Sequence, residues 1–208
     1  MDNNNFDRMA DTWDENPVRL KMTRAVAMKI MDRLDLTTDM SALEIGSGTG
    51  LITVQLAPIL EKVTALDSSE KMLEQLRKKA KTMGIHNITA RNIDLEKDAI
   101  PRKNYHLIFS NMTFHHILDG NCLLKKIHDA LAPGGVLAMS DLDLEDGTFH
   151  GDMPGVHHFG FARGALVTAL ELAGFHHCSI EDAHVVEKTD DRGETRCYPM
   201  FLATGRKL

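Results

Sequence analysis

Short apolar runs alternate along the chain with longer segments in which apolar residues recur every three or four positions. The short runs predict buried strands, and the three- to four-residue spacing predicts amphipathic helices. Their regular alternation from residue 41 to 187 is typical of an α/β fold, in which helices cover both faces of a parallel sheet. The predicted parallel strands are residues 42–45, 63–67, 88–92, 105–110 and 136–141.

The end of the chain departs from this alternation. Two apolar segments, residues 176–187 and 197–205, are joined by a short turn at residues 190–194. So short a connection joins antiparallel strands, because a parallel pair needs a crossover of a dozen or more residues. The last strand is therefore predicted to run antiparallel to the strand before it.

Helices and loops fill the remaining chain. The predicted helices are residues 17–34, 51–57, 69–83, 119–131 and 161–173. Residues 1–16 are predicted to be a mobile lead-in, and residues 142–160 a long loop that contains glycine, histidine and acidic residues. A loop of that length in a compact domain is usually functional or disordered.

The first strand ends in a turn that contains three glycines, Gly46, Gly48 and Gly50. Glycine has no Cβ, so the backbone can turn tightly and approach a ligand closely. A strand, a glycine turn and a helix in this order predict a nucleotide site. The dinucleotide pattern does not fit, because its third glycine would fall at Leu51. Glu44, at the strand end, would also repel a pyrophosphate and attract a cationic ligand.

Three further strands end in polar residues. Asp67 ends the second strand about 20 residues after the glycine turn, where an acid can accept hydrogen bonds from ribose hydroxyls. Asp94 follows the third strand and could accept from an adenine amino group while Leu95 offers its amide. Asp94 could instead cap a local turn. Asn111 follows the fourth strand.

These features resemble the motifs of the class I S-adenosylmethionine-dependent methyltransferases. The resemblance covers roughly residues 40–205 and includes the Leu-Ala-Pro-Gly-Gly segment at residues 131–135. It implies a Rossmann-like fold whose mostly parallel seven-stranded sheet has the order 3-2-1-4-5-7-6, with strand 7 antiparallel and helices on both faces. It also implies S-adenosyl-L-methionine as cofactor and S-adenosyl-L-homocysteine as product. The chain is most similar to the branch that acts on small molecules, which includes methyltransferases of quinone biosynthesis.

The length of 208 residues fits one domain. We predict an N-terminal lid and helix in residues 1–38 and a cofactor-binding core in residues 39–208. The expected cofactor-binding residues are Glu44, Gly46, Ser47, Gly48, Gly50, Asp67, Ser68, Asp94, Leu95 and Asn111.

Histidines near the predicted pocket are the candidates for catalysis. His115 and His116 follow the fourth strand, and imidazole titrates near neutral pH. Either could be a general base, if the acceptor must lose a proton, or a positioning group or a structural cap. His157 and His158 in the long loop are predicted to line the acceptor pocket. Trp13 is predicted to be a lid residue, or else a hydrophobic plug against the domain.

The long loop and the strand end before it also carry potential metal ligands. They are Asp141, Asp143, Glu145, His150, Asp152, His157 and His158. Adjacent histidines on an extended chain point in opposite directions, and an acidic loop is usually solvated. We therefore predict no metal site.

Charge and composition narrow the expected partners. A net charge of −6 argues against a protein that mainly binds nucleic acid. No apolar run reaches the length of a membrane span. Three cysteines without metal-ligand spacing suit reduced thiols in the cytoplasm. We therefore predict a cytoplasmic methyltransferase that acts on a small-molecule acceptor. Methylation of protein or RNA, and cofactor binding without catalysis, are the alternatives.

Overall fold

The architecture is described by a computed structural model over residues 3–101, 104–189 and 193–208. Seven strands form one sheet in the order β3-β2-β1-β4-β5-β7-β6. They are β1 Ser41–Ile45, β2 Lys62–Asp67, β3 Ile88–Asn92, β4 Tyr105–Asn111, β5 Leu131–Leu142, β6 His176–Thr189 and β7 Thr195–Arg206. β7 is antiparallel to both neighbours, and the other neighbouring strands are parallel. The predicted fold class and strand order are confirmed. Residues 190–192 of the predicted final turn lie outside the described residues.

The centre of the sheet is the point at which the strand order reverses. From β1 the chain adds β2 and β3 on one side, then crosses back to place β4 on the other side. Ile45 at the end of β1 pairs with Ser110 near the end of β4. In open α/β sheets, ligands bind in the crevice outside the strand ends at such a switch point.

Helices cover both faces of the sheet. They are α1 Asn3–Met9, α2 Pro17–Arg33, α3 Thr53–Leu56, α4 Glu70–Thr82, α5 Gly120–Ala130 and α6 Arg163–Leu172. The side chains of Asn16, Ser69 and Asp119 accept hydrogen bonds from backbone N–H groups in the first turns of α2, α4 and α5. Each cap satisfies a donor that has no partner within its own helix.

Two large hydrophobic clusters hold the layers together, one on each face of the sheet. Leu43 and Ile45 of β1 belong to the cluster that includes the apolar residues of α5 and α6. Ala42, which points the opposite way, belongs to the cluster that includes α2. All five residues of β1 are buried, as expected for a central strand covered on both faces.

Two segments differ in the structure from what the sequence predicts. The helix after the glycine turn has only four residues and continues as a 3-10 turn, Ala57–Ile59. Pro58 explains this, because proline has no N–H for an α-helical hydrogen bond. The segment at residues 131–135, which separates the predicted helix from the predicted strand at residues 136–141, is part of β5. Its Gly134 N–H donates to the carbonyl of Lys207 at 2.8 Å.

The N-terminal residues also differ from expectation. Instead of a mobile lead-in they form α1 and a 3-10 turn, Trp13–Glu15, while residues 1 and 2 lie outside the described part of the chain. The segment carries Phe6 and Trp13, whose rings meet edge to face at 5.9 Å between centroids. These aromatic side chains give the segment apolar area to bury, which short polar lead-ins lack.

Candidate functional site

A cavity of about 310 Å³ lies along the carboxyl edge of the sheet. It extends from β2 and β3 at one end to β6 at the other, because Asp67, Ile93 and Val186 all line it. The turn side of the cavity is formed by Glu44, residues 46–49, Asp67, Ser68, Ile93 and Leu95. The loop side is formed by Met22, Met112, Phe149, His150, Met153, Val186 and Lys188. This volume is at the lower end of the range for small-molecule sites.

The glycine turn has a shape that only glycine allows. Gly46 has a φ of +67°, and a Cβ there would lie 2.2 Å from Thr113 Oγ1. A Cβ on Gly50, whose φ is +77°, would lie 2.1 Å from Leu76 Cδ1. Gly46 lines the cavity whereas Gly50 does not, so Gly50 serves the packing of α4 against the turn rather than the cavity wall.

Two carboxyl groups lie on the turn side. Asp67 Oδ2 accepts from Gly48 N–H at 2.7 Å and Oδ1 from Ser69 N–H at 2.8 Å, which fixes the carboxylate at the cavity wall. Glu44 is buried and accepts a hydrogen bond from Thr53 Oγ1. Burial raises the pKa of Glu44 to about 8 and also raises the pKa of Asp67. A cationic ligand would offset that desolvation and favour both ionised forms.

Of the two residues expected at an adenine ring, the structure brings only one into the cavity. Leu95 lines the turn side and is buried. Asp94 lies outside the lining, where its carboxylate accepts from Lys97 Nζ at 2.7 Å and Glu96 N–H at 3.1 Å. Asp94 thus caps a local turn in this structure, and its role at an adenine ring stays a prediction.

Two polar side chains in the cavity have buried atoms without a partner. Asn111 Oδ1 and Ser47 Oγ form no hydrogen bond with any residue that the structure describes. Both residues line the cavity, as does Ser68. An unsatisfied buried polar atom is costly, so these atoms are available for a polar ligand.

His115 is paired with a buried carboxylate. Its Nδ1 lies 2.8 Å from Asp141 Oδ1, and both side chains are almost completely buried. Burial alone would raise the pKa of Asp141, but the charge and hydrogen bonds of His115 outweigh burial and lower it. The ionised Asp141 therefore accepts a hydrogen bond from His115 Nδ1, which fixes the orientation of the imidazole in the cavity wall.

His116 is fixed differently. Its Nδ1 donates to the carbonyl of Gly155 at 2.8 Å, and its ring meets Phe6 edge to face at 5.3 Å. Burial, reinforced by the neighbouring His115, lowers the pKa of His116 to about 4. His116 is therefore neutral near pH 7, and its Nε2 can accept a hydrogen bond more readily than a proton.

His157 and His158 do not line the cavity. Their backbone N–H groups donate to the carbonyl of His115 at 2.8 and 3.1 Å. His158 Nε2 also lies 2.9 Å from the carbonyl of Ile117. The two residues tie the long loop to the end of β4, and their predicted place in an acceptor pocket stays a prediction.

Other residues of the loop form the cavity wall. Phe149 and Met153 line the loop side, although the sequence pattern did not single them out. His150, considered at first only as a metal ligand, also lines it, with its ring centroid 4.4 Å from that of His115. The sequence carries one signal for this part of the cavity wall, which is the presence of apolar residues within a polar loop.

Residues 5–16 lie across the cavity and are called the cover here. Phe6, Met9 and Trp13 line the cavity from this segment. Asp14 forms an ion pair with Lys79 Nζ at 2.6 Å and accepts from Thr49 Oγ1 at 2.6 Å. These contacts attach the cover to α4 and the glycine turn.

Arg19, at the start of α2, fixes the ring of Trp13. Its guanidinium lies 3.6 Å from the ring centroid and donates to the Trp13 carbonyl. Trp13 Nε1 in turn lies 3.9 Å from the position of a Cβ on Gly48. Trp13 is thus placed over the turn side, where either a lid or a plug would lie.

Asp143 of the long loop forms an ion pair with an arginine. Arg163 donates to both carboxylate oxygens of Asp143 at 2.7 Å and to Asp182 at 2.7 Å. Within the described residues, no group of three histidine, cysteine or acidic side chains has a geometry that could hold a metal ion. Over the same part of the chain, no helix is both long and apolar enough to cross a bilayer.

A family described as a methyltransferase domain matches residues 42–135, from the glycine turn to the end of the Pro-Gly-Gly segment. The match places residues 42–135 in the predicted family, the class I S-adenosylmethionine-dependent methyltransferases. The family, enzyme class and cofactor predicted from the glycine turn are thereby confirmed.

Known methyltransferases resemble this one over different lengths. An uncharacterized methyltransferase of Schizosaccharomyces pombe is 25% identical over 222 residues, which cover 84% of this chain and 76% of that protein. A malonyl-[acyl-carrier protein] O-methyltransferase of Bacillus cytotoxicus is 31% identical over 138 residues. That match covers 65% of this methyltransferase and 47% of the relative, so the chain spans about half the relative's length. The structure of DhpI with S-adenosylhomocysteine has the same fold, with a TM-score of 0.74 and 22% identity. The match covers 99% of this chain and 94% of DhpI.

Proposed function

We propose that this methyltransferase transfers a methyl group from S-adenosylmethionine to a small molecule bound on the loop side. The observation that carries the proposal is one cavity in which the turn side and the loop side are continuous beneath the cover. A cavity of this size accommodates a small acceptor better than a folded protein or an RNA strand. The net charge of −6 also disfavours RNA.

The turn side has groups that fit this cofactor. The glycine turn at residues 46–48 brings backbone close to the cavity without side-chain bulk. Asp67, in the cavity lining, would accept hydrogen bonds from ribose hydroxyls, and the buried Glu44 would supply negative charge for a cationic ligand. The unpartnered Oδ1 of Asn111 would accept a hydrogen bond from the ammonium of the amino-acid portion.

The protein's own residues would prepare the acceptor for attack. The bound cofactor supplies an electrophilic methyl group on a sulfonium. His115 Nε2 would take up the proton of an acceptor that must lose one, while Asp141 holds the imidazole in the required tautomer. The cover and the long loop would exclude water and limit the motion of the acceptor.

Calorimetry with S-adenosylmethionine, S-adenosylhomocysteine and NAD tests cofactor recognition. The first two should bind and NAD should not. Mass spectrometry of a metabolite library should then reveal methylated products together with S-adenosylhomocysteine. Binding of NAD without S-adenosylhomocysteine would contradict the cofactor assignment. Cofactor binding without any methylated metabolite would contradict small-molecule transfer.

A further inference from the structure

Charged residues are distributed unevenly in the cavity. The two carboxyl groups in its lining, Glu44 and Asp67, both lie on the turn side. Among the lining residues of the loop side that the structure describes, Lys188 is the charged one, and the others are apolar apart from His150. Arg19 is a second cation in the cavity lining, and its guanidinium is stacked on the cover. A ligand that is complementary to both sides would therefore be positive on the turn side and negative on the loop side.

Lys188 lies over the ring of Phe149 and has no carboxylate partner among the described residues. Its Nζ is 3.9 Å from the Phe149 ring centroid and donates to the Phe149 carbonyl. In the described residues it forms no ion pair within 4.0 Å. An ammonium has three donors, so Lys188 has two left for a ligand.

His150 borders the same aromatic ring from the cavity. Its ring centroid is 4.7 Å from that of Phe149. Its Nδ1 is buried and has no hydrogen-bond partner in the described residues. Burial beside two other histidines lowers the pKa of His150 to about 3, so the ring is neutral and can donate a single N–H. An orphaned ring nitrogen that can carry this N–H, within a built cavity, points to a ligand atom that accepts a hydrogen bond.

Glu145 is the acidic residue to consider against this interpretation. Its Oε2 accepts from the backbone N–H of Phe149 at 3.1 Å, and its charge opposes the lowering of the Lys188 pKa by burial. Glu145 does not line the cavity, however, and forms no ion pair with Lys188 in the described residues. It would keep Lys188 protonated without occupying the ligand's position.

We propose that the acceptor is an organic acid with an apolar body, whose anionic group lies between Lys188 Nζ and His150 Nδ1 while the body packs against Phe149, Met153 and Val186. This inference rests on the proposed function, since it names the acceptor class for the loop side. It assigns acceptor specificity to Lys188 and His150 rather than to the residues of the turn side.

Three matched acid and amide pairs test the proposal: 3-phenylpropanoate, 4-phenylbutanoate and 2-naphthoate, each against its neutral amide. Calorimetry is performed on the full chain saturated with S-adenosylhomocysteine. At least one acid should bind about tenfold or more tightly than its amide, because a charge-assisted hydrogen bond is worth about twice a neutral one. The affinity of the protein for that acid should fall as ionic strength rises.

Two variants test which residues cause the preference for the acid over its amide. In Lys188→Gln the ratio of acid to amide affinity should fall close to one, and His150→Phe should lower it while keeping the ring volume. Lys125→Gln, an exposed lysine on α5 outside the cavity lining, is the control and should keep the wild-type ratio.

Equal affinity for acid and amide in every pair, or binding of neither, overturns the acceptor class. A full preference in Lys188→Gln overturns its assignment to Lys188. A purely structural role for Lys188 predicts lower unfolding stability with an unchanged ratio. Binding of S-adenosylhomocysteine is measured first in every sample, so a failure of the proposed function itself is seen separately.

Discussion

The turn side and the loop side of the cavity are built in different ways. The turn side comes mainly from one continuous stretch of β1 and the glycine turn, completed by residues 67–68 at the end of β2 and by Ile93 and Leu95 after β3. The loop side combines α2, the long loop and β6, which are far apart along the chain. The turn side uses backbone shape and carboxyl groups, whereas the loop side uses apolar side chains, histidine and one lysine.

This difference separates two tasks. A wall made of backbone turns changes little when side chains change, and it suits a ligand that is the same in every turnover. A wall made of side chains from separate elements can change one residue at a time, and it suits a ligand that differs between relatives. Substitutions on the turn side should therefore alter cofactor affinity, and substitutions on the loop side should alter turnover while cofactor affinity is kept.

The largest effect is expected from Gly46→Ala. Gly84 has the same φ of +67° but has no atom within 4 Å of a Cβ, whereas Gly46 faces Thr113 at 2.2 Å. Gly84→Ala should cost about 1 kcal/mol of unfolding free energy for the backbone conformation. Gly46→Ala should cost about 3–4 kcal/mol, because overpacking is added. Urea unfolding of both variants measures the difference. Equal costs would show that the crowding at Thr113 is relieved easily.

Asp67→Ala should weaken S-adenosylhomocysteine binding by about 2–4 kcal/mol through the loss of charge-assisted hydrogen bonds to ribose. Asp32→Ala is the matched comparison, since Asp32 is an exposed aspartate on α2 outside the cavity lining. Calorimetry of both variants measures the affinities, and thermal unfolding shows whether they are folded. Unchanged affinity in a folded Asp67→Ala variant would remove Asp67 from the cofactor site.

His115→Ala should keep cofactor affinity and lose roughly a hundredfold in turnover if His115 is a general base. The variant should also lose the rise in rate that a titrating imidazole gives near neutral pH. A positioning role predicts a smaller loss with the pH profile kept, and a structural role predicts lower stability. The same measurements on His116→Ala distinguish the two histidines. Full activity with an unaltered profile in both variants would exclude them from the chemistry.

The smallest effect concerns the pH dependence that Glu44 produces. Its pKa is about 8 in the folded protein, against an ordinary value of 4.5 for glutamate. The unfolded chain therefore ionises first, and the stability that Glu44 contributes is complete below pH 4.5 and is lost as pH rises to about 8. A cationic ligand favours the ionised form, so binding at pH 7 should release a proton.

Affinity for S-adenosylmethionine should accordingly rise about tenfold between pH 7 and 9 in the wild type relative to Glu44→Gln. The comparison with this variant removes the ligand's own titration. Calorimetry in buffers of different ionisation enthalpy counts the released proton. Identical pH dependence in the two proteins would show that Glu44 does not sense the ligand's charge.

The fold and the turn side could be predicted because their causes are local. Strand burial leaves a run of apolar residues, and a left-handed turn requires glycine at fixed spacing. The loop side has no such pattern, because Phe149, His150 and Lys188 meet only through the pairing of β6 with β7 and the fold of the long loop. No periodicity in the sequence records contacts of that kind.

The differences between expectation and structure also have local physical reasons. Asp94 turns away from the cavity because Lys97, three residues later, provides a cation within reach. Arg19 stacks on Trp13, a contact that its place on an amphipathic helix does not reveal. The cover adopts helical turns because Phe6 and Trp13 bury their rings over the cavity.

His115 holds the long loop through its carbonyl oxygen, which receives the N–H groups of His157 and His158. Every amino acid has that carbonyl, so the attachment of the loop does not depend on the imidazole. Evolution can therefore replace the side chain at position 115 without detaching the long loop from the cavity. The chemical group at this position is thus free to diverge while the wall formed by the loop is kept.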